Sequence, residues 1–272
     1  ERAFAHFLSL LDSQCWDEEI SKLRCFAGEA LAEPGVDQSN LPSCLDVVCT
    51  GGGFRNCYSA GVIFALQQRN VSLQRFAGAS AGAQLAFVMM TGQFEECLRW
   101  AMAVASTLQK FPWVRPGPLW DHFYRRCAHR APVPADGSFV VSVTELISFF
   151  PPTGCNHLIS SFEDQSAVGD GLLATAAVPF FICRGPWMSW RGMRVLDGGL
   201  TNNTPHFRDG VRHQLVITFD SLTERFHGRT CGIYWEAAEM LEVIRWGIED
   251  GVSLLCGRKP PGLRIIEPEQ SL

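Results

Sequence analysis

Between residues 45 and 90 the sequence twice runs from a short apolar stretch into a glycine-rich turn and then a helix-like segment. LDVVCT (45–50) meets Gly51-Gly52-Gly53, and Asn56 to Gln68 follows with Tyr58, Val62, Ala65 and Leu66 at helical spacing. LQRFAG (73–78) then meets Gly78-Ala79-Ser80-Ala81-Gly82, and Ala81 to Met90 reads as a second, mostly apolar helix. Strand, loop, helix, strand, loop, helix is a βαβ pattern. It predicts parallel neighbouring strands joined by a right-handed crossover, with both loops at the carboxyl ends of their strands, where open α/β sheets hold ligands. Two individually weak motifs thereby become one crevice.

Each motif has a chemical reading and a plain one. Gly-x-Ser-x-Gly fits a strained strand-to-helix elbow that exposes a serine hydroxyl; the same five residues also suit a small-residue packing seam. Three glycines permit a tight turn, or they present consecutive N–H groups as an anion site. The glycine loop lacks the third glycine of a dinucleotide fingerprint, since position 56 is Asn, and no Lys-Ser pair makes it a phosphate loop. An oxyanion hole serving a nearby serine is the reading that unites them.

A serine needs a base. Asp197 ends the apolar stretch MRVLDGG (193–199) and precedes Gly198-Gly199, which lets the chain turn away from the carboxylate; the Asp-Gly pair is equally a hairpin signal. His206, His213 and His227 follow it and leave a Ser-His-Asp triad open.

The rest of the chain predicts two helices in 1–33, a polar link at 33–43, and a helical insertion at 91–137 holding an aromatic, proline-rich loop (111–126). Strands are expected at 139–146, 156–163, 193–199 and 213–219. A helix covers 169–181 until Pro179, and an amphipathic helix covers roughly 233–256 before a proline-rich tail. The expected division is a helical segment 1–44, a catalytic domain 45–230, and a helix and tail 231–272 packed on it.

Composition sets bounds. The 272 residues are 47% hydrophobic and 19% charged, which argues against disorder. The net charge of -5 argues against nucleic acid as a partner. Eleven cysteines, an odd number without a C-x-x-C pair, read as buried thiols of a reducing compartment rather than a disulfide framework. No apolar run approaches the about 18 residues of a spanning helix. The start ERAFAH, without methionine, reads as a trimmed or processed piece.

Taken in order, GGGFRN (51–56), GASAG (78–82) and VLDGGLTNNTP (195–205), with LLATAAVPFF (172–181) between the last two, resemble the patatin-like phospholipase family over roughly residues 45–220. YSAGV after the glycine loop is similar to the adipose triglyceride lipase and adiponutrin branch. The resemblance implies a three-layer α/β/α sandwich with a mostly parallel sheet, and a lipid acyl hydrolase acting on triacylglycerol or phospholipid. It implies Ser80 as nucleophile, Asp197 as base, and Gly51, Gly52, Gly53 and Phe54 around the oxyanion. Gly78, Gly82, Gly198 and Gly199 are the motif glycines, and neither cofactor nor metal is implied. Arg55 is a candidate for orienting the loop. Asn56 stands where the family has glycine; asparagine tolerates positive φ, so the loop is expected to survive, with the Asn56 amide able to reshape the oxyanion site. The alternatives are an α/β-hydrolase with a histidine triad, and a catalytically weak lipid-binding protein of the same fold.

The expected setting is an intracellular, cytoplasmic protein that docks on a membrane or lipid-droplet surface through aromatic loops. Candidates are 111–124 (Phe111, Trp113, Trp120, Phe123) and 180–190 (Phe180, Phe181, Trp187, Trp190). Trp113 and Trp187 are expected to be exposed, and Phe180 and Phe181 to be core.

Overall fold

A computed structural model describes residues 2–12, 16–219, 222, 225 and 236–268. The helices are α1 (Arg2–Asp12), α2 (Asp17–Leu31), α3 (Asn56–Gln68), α4 (Ala81–Met90), α5 (Phe94–Lys110), α6 (Gly117–Arg130), α7 (Gln165–Ala174) and α8 (Ala237–Leu255). The strands are β1 (Leu45–Cys49), β2 (Leu73–Ala79), β3 (Phe139–Phe149), β4 (Pro152–Ile159), β5 (Met188–Trp190), β6 (Met193–Asp197), β7 (His213–Ile217) and β8 (Leu263–Ile266). Together they build an α/β/α sandwich around one mixed sheet.

The sheet runs β5-β6-β3-β2-β1-β7-β8, with β4 paired to the other edge of β3. Its centre is parallel: β1 lies between β2 and β7, and β2 lies against β3. Antiparallel β4, β6, β5 and β8 finish it. Every residue of β1 is buried, as a strand with parallel neighbours on both sides requires. That includes Asp46, whose carboxylate accepts from Arg75 Nε at 3.0 Å, so a charge in the sheet is paired rather than isolated.

The two faces are covered unequally. Val47, Cys49, Phe76 and Leu215 look into a large core shared with most of the helices. Val48, Ala77, Val140 and Val216 look the other way and are covered by Phe207. In the large core α8 lies so close to α3 that a methyl on Gly247 would overlap the Tyr58 carbonyl, so glycine is required there. On α1, Phe7 is fully buried against Trp100, while Phe4 and Leu8 remain exposed.

Several boundaries differ from expectation for local reasons. The aromatic loop at 111–126 is a loop only to Pro116, and α6 begins at Gly117. Pro118 sits in its first turn, where no N–H is needed, so Trp120 and the fully buried Phe123 are helical residues. The strand expected at 156–163 is β4, shifted to Pro152–Ile159 by pairing with β3. α7 stops at Ala174 instead of reaching Pro179. The proline-rich tail holds an unforeseen strand, β8, whose four residues are too few for an alternation signal. The nine described cysteines are free thiols of mixed exposure: Cys25 and Cys155 lie at the surface.

Candidate active site

β3 acts as the ruler that brings the site together. The last residue of β2, Ala79, pairs with Ser142, while the last residue of β6, Asp197, pairs with Val143. β2 runs parallel to β3 and β6 antiparallel to it, so their carboxyl ends converge on consecutive residues of the same β3 edge. Ser80 follows one end and Asp197 closes the other. Ser80 and Asp197 line the same cavity, and the Ser80 hydroxyl stands near enough to the Asp197 carboxylate to favour its ionised form.

Ser80 occupies φ 52, ψ -134 between β2 and α4. A positive φ on a serine costs on the order of 1–3 kcal/mol, and surrounding contacts hold it there. Its N–H donates to Thr175 Oγ1 at 3.0 Å, and that hydroxyl donates onward to the Ser142 carbonyl at 2.6 Å. The flanking glycines are spatial necessities. A methyl on Gly82 would lie 2.5 Å from the Cys49 carbonyl oxygen, and one on Gly78 would lie 2.5 Å from the Ala83 nitrogen. Helix α4 can therefore fold back over β1 and β2 only if both are glycine, and that return is what turns the serine outward.

Asp197 is held by a second set of bonds. Its carboxylate accepts from Gly199 N–H at 2.8 Å, and its carbonyl accepts from Thr144 Oγ1 at 2.8 Å. Gly198 N–H donates to the Thr175 carbonyl at 2.9 Å, and a methyl there would overlap the Ser142 carbonyl. The Asp-Gly-Gly signal thus marks a strand end and a single helical turn (Gly198–Leu200), and not a two-residue hairpin. Burial pushes the Asp197 carboxyl above its ordinary value, opposed by the neighbouring Ser80 hydroxyl and the Gly199 N–H.

The glycine loop stands beside both residues. Gly51 N–H donates to the Asn203 carbonyl at 3.2 Å, and Asn203 Nδ2 donates to the Gly51 carbonyl at 3.2 Å. Gly51 is therefore committed to the loop that follows Asp197, and its N–H is already spent. Those of Gly52 and Gly53 have no acceptor among the described residues. The left-handed position is Gly53, at φ 58. Asn56 makes no use of positive φ: it is buried at φ -64 as the first residue of α3, with its side-chain amide reaching the Gly53 carbonyl at 3.5 Å. Arg55 lies in the single turn between the loop and α3, its N–H on the Gly52 carbonyl at 3.2 Å. Phe54 packs 6.0 Å from Trp120.

Ser80, Asp197, Asn203 and the glycine loop open on a cavity of about 420 Å³, within the range of small-molecule sites. Its apolar walls come from α5 (Ala101, Leu108), α6 (Trp120, Tyr124) and the segment after α7 (Val178, Phe181). The helical insertion at 91–137 is thus the wall of the pocket. Phe181 is half-buried in it rather than core, and its neighbour Phe180, also expected in the core, is 64% exposed. Trp113 is 76% exposed as expected. Trp187 is half-buried, 5.3 Å from Phe149, and Trp190 is buried.

No histidine among the described residues lines this cavity. His213 pairs with Glu267 at 2.6 Å at the amino end of β7, and His206 sits beside Gln214. Burial and the nearby Arg264 lower the proton affinity of His206. His227 lies outside the described residues.

Thr175, Asn203, Ser142 and Thr144 hold the arrangement; Thr175 and Asn203 fall inside the quoted family-like segments, Ser142 and Thr144 outside them, and no local feature singles any of them out. Their signal is three-dimensional: each bonds to a partner on a distant element.

A model of the patatin-like phospholipase family matches residues 47–207. The chain is 32% identical over 168 residues to the Homo sapiens patatin-like phospholipase domain-containing protein 4, a match covering 56% of this chain and 63% of that protein. It is 30% identical over 170 residues to the Homo sapiens omega-hydroxyceramide transacylase, covering 57% of this chain and 30% of the relative. With the Mus musculus omega-hydroxyceramide transacylase the identity is 27% over 168 residues, covering 57% and 27%. The chain spans less than two thirds of the length of each of these relatives. The family match extends over more than half of this chain, from β1 past Asp197: the chain belongs to the patatin-like phospholipase family.

Proposed function

We propose that the chain hydrolyses carboxylic ester bonds of glycerolipids through an acyl-enzyme on Ser80, with Asp197 as the only side-chain base. The observation that carries this reading is the convergence of Ser80 and Asp197, at the ends of β2 and β6, on an apolar cavity whose described lining holds no histidine.

The ester's acyl chain lies in the cavity with its carbonyl above Ser80. As the hydroxyl oxygen attacks the carbonyl carbon, its proton passes to Asp197, and the carbonyl oxygen gains negative charge. The free N–H groups of Gly52 and Gly53 receive that charge; one such donor is worth about 3–4 kcal/mol in the transition state. The tetrahedral intermediate collapses, the C–O bond to the alcohol breaks, and the departing oxygen takes the proton from Asp197. Water then enters, gives its proton to Asp197 and attacks the acyl carbon. Collapse returns the proton to Ser80 and releases the fatty acid. The raised proton affinity of Asp197 suits this work, because a more basic carboxylate is a better acceptor of a hydroxyl proton.

A second reading shares every step up to the acyl-enzyme and replaces water with a lipid alcohol. It is favoured by the apolar lining, which gives water little purchase, and by the similarity to a transacylase. Purified protein given a triacylglycerol, a phospholipid and a short soluble ester, each with and without an added long-chain alcohol, tests both. Free acid as the main product supports hydrolysis, and alcohol ester as the main product supports transfer. Neither product from any substrate rejects both.

A further inference from the structure

The rim of the cavity carries apolar side chains that the described interior does not use. At the β3–β4 turn, Phe150 is 90% exposed, and Ile147 and Phe149 are exposed beside it. Phe149 rests on Trp187. Trp187 follows the turn closed by the bond from Phe180 N–H to the Gly185 carbonyl, at 3.2 Å, so exposed Phe180 belongs to the same surface. Leu200 extends it to the mouth: it is 65% exposed and also lines the cavity. The hairpin reaches this point too, since Gly154 of β4 approaches the Thr201 side chain.

Unpaired charge on this surface has one sign, since Glu145 of β3 is paired with His157 at 2.8 Å. The chain as a whole is acidic, at -5, yet residues 146–162 and 171–208 contain a single carboxylate, Asp197, which is turned into the cavity. Arg184 and Arg194 are exposed and form no ion pair among the described residues. Arg194 lies over the Trp187 ring at 5.9 Å and donates to the Ile147 carbonyl at 3.3 Å, which ties cation, ring and hairpin together. Among the described residues no helix is long and apolar enough to cross a membrane. Projecting aromatic residues flanked by arginine, around the mouth of an apolar cavity, match a surface that is apolar within and negatively charged at its headgroups.

We propose that the β3–β4 hairpin and the 178–187 turn dock the chain on a bilayer surface containing anionic lipid. Phe149, Phe150 and Phe180 enter the interface, and Arg184 and Arg194 meet headgroup phosphates or carboxylates. Docking so sets the cavity mouth at Leu200 against the lipid, and a substrate chain passes to Ser80 without crossing water. The inference rests on reading the cavity as a lipid site. It moves the main anchor from the sequence-expected Trp113 and Trp187 to the hairpin.

Flotation with vesicles of phosphatidylcholine, alone or with added phosphatidylserine, tests it, using Ser80→Ala protein so that the vesicles are not consumed. Binding is expected to increase with phosphatidylserine and to fall with salt. Phe149→Ser with Phe150→Ser is expected to lower binding at least about ten-fold on both vesicles, each ring being a substantial buried apolar group. Phe150→Ser alone, at so exposed a position, guards against a folding failure. Arg184→Gln with Arg194→Gln is expected to remove about five-fold per arginine, only on vesicles with phosphatidylserine. Placed in the unmodified chain, the same substitutions are expected to leave turnover of a short soluble ester unchanged. Vesicle binding unaffected by the hairpin variants overturns the proposal. So does a hairpin-dependent dimer with unchanged vesicle binding, which would assign the surface to a second copy. Failure of the unmodified chain to cleave the soluble ester, with vesicle binding as expected, would instead reject the hydrolase reading and leave the docking surface in place.

Discussion

At the floor of the cavity, Ser80 is strained at positive φ and tied through Thr175 to β3, while Asp197 is tied to Gly199 and Thr144. At the rim, Phe150 and Phe180 project into solvent and Leu200 is mostly uncovered. The floor spends its hydrogen bonds on fixing two side chains relative to each other. The rim leaves its apolar area unspent. On the proposed function the difference separates two steps: substitutions in the floor should change turnover of any ester, whereas substitutions in the rim should change only access to lipid.

The largest effect expected is at the floor itself. Ser80→Ala and Asp197→Asn should each lower kcat on a soluble ester about 10⁴-fold or more, and the double variant should be little worse than either alone, because the pair acts as a unit. Circular dichroism should show both folded. A rim variant with a comparable loss on the soluble ester would erase the distinction.

Next is the tie between nucleophile and base. Thr175→Val removes the hydroxyl that accepts from Ser80 N–H and donates to Ser142, and leaves both backbone groups buried without a partner. That should cost about 1–3 kcal/mol, read as roughly a 10- to 100-fold fall in kcat with KM little changed. Thr175→Ser should restore most of it. Equal losses in the two variants would show that the residue's size, and not its hydroxyl, is what the site needs.

The electrostatics of the floor give a gentler test. Asp197 must be ionised to accept a proton, and its proton affinity is raised above the ordinary aspartate value of 3.8. The acidic limb of kcat/KM should therefore lie above that value. Burial disfavours the ionised form, so the group's stabilising contribution is present at low pH and lost as pH rises through its folded-state value. Asp197→Asn should accordingly unfold at a higher temperature than the parent chain at neutral pH, and the gap should close in acid. A lower Tm at neutral pH would contradict the burial argument.

The smallest effect belongs to the two tryptophans. Trp113→Ala with Trp187→Ala should leave soluble-ester turnover unchanged and lower vesicle binding by less than the hairpin substitutions do, because only Trp113 is fully available to lipid. A larger loss than that of the hairpin would return the main anchor to the tryptophan loops.

The same contrast explains what could be read from the sequence. The glycine loop, the Gly-x-Ser-x-Gly turn and Asp-Gly-Gly are local: glycine is required where α4 returns over β1 and β2, so the geometry leaves a mark within a few residues. The βαβ order then places two of the motifs on one crevice. Thr175 and Asn203 leave no such mark, because they act on partners 95 and 152 residues away, and a threonine or asparagine at a segment end looks like any other. Local spacing also could not show that the Gly51 N–H is spent on Asn203. The rim was harder still: the exposure of Phe180 and the partial cover of Trp187 depend on which loop meets which hairpin, and the β3–β4 turn reads as an ordinary proline-containing loop. Helix α6 was hidden by the prolines and glycine around its start, although Pro118 is compatible with a first helical turn.

The central claim is that Asp197 alone activates Ser80. It is tested most directly by the rate at which a fluorophosphonate labels the protein, with the modified peptide located by mass spectrometry. The account predicts one adduct, on Ser80, formed at the parent rate in His206→Gln, His213→Gln and His227→Gln and slowed by orders of magnitude in Asp197→Asn. An adduct on another residue, or labelling of Ser80 that survives Asp197→Asn and fails in a folded histidine variant, would contradict it.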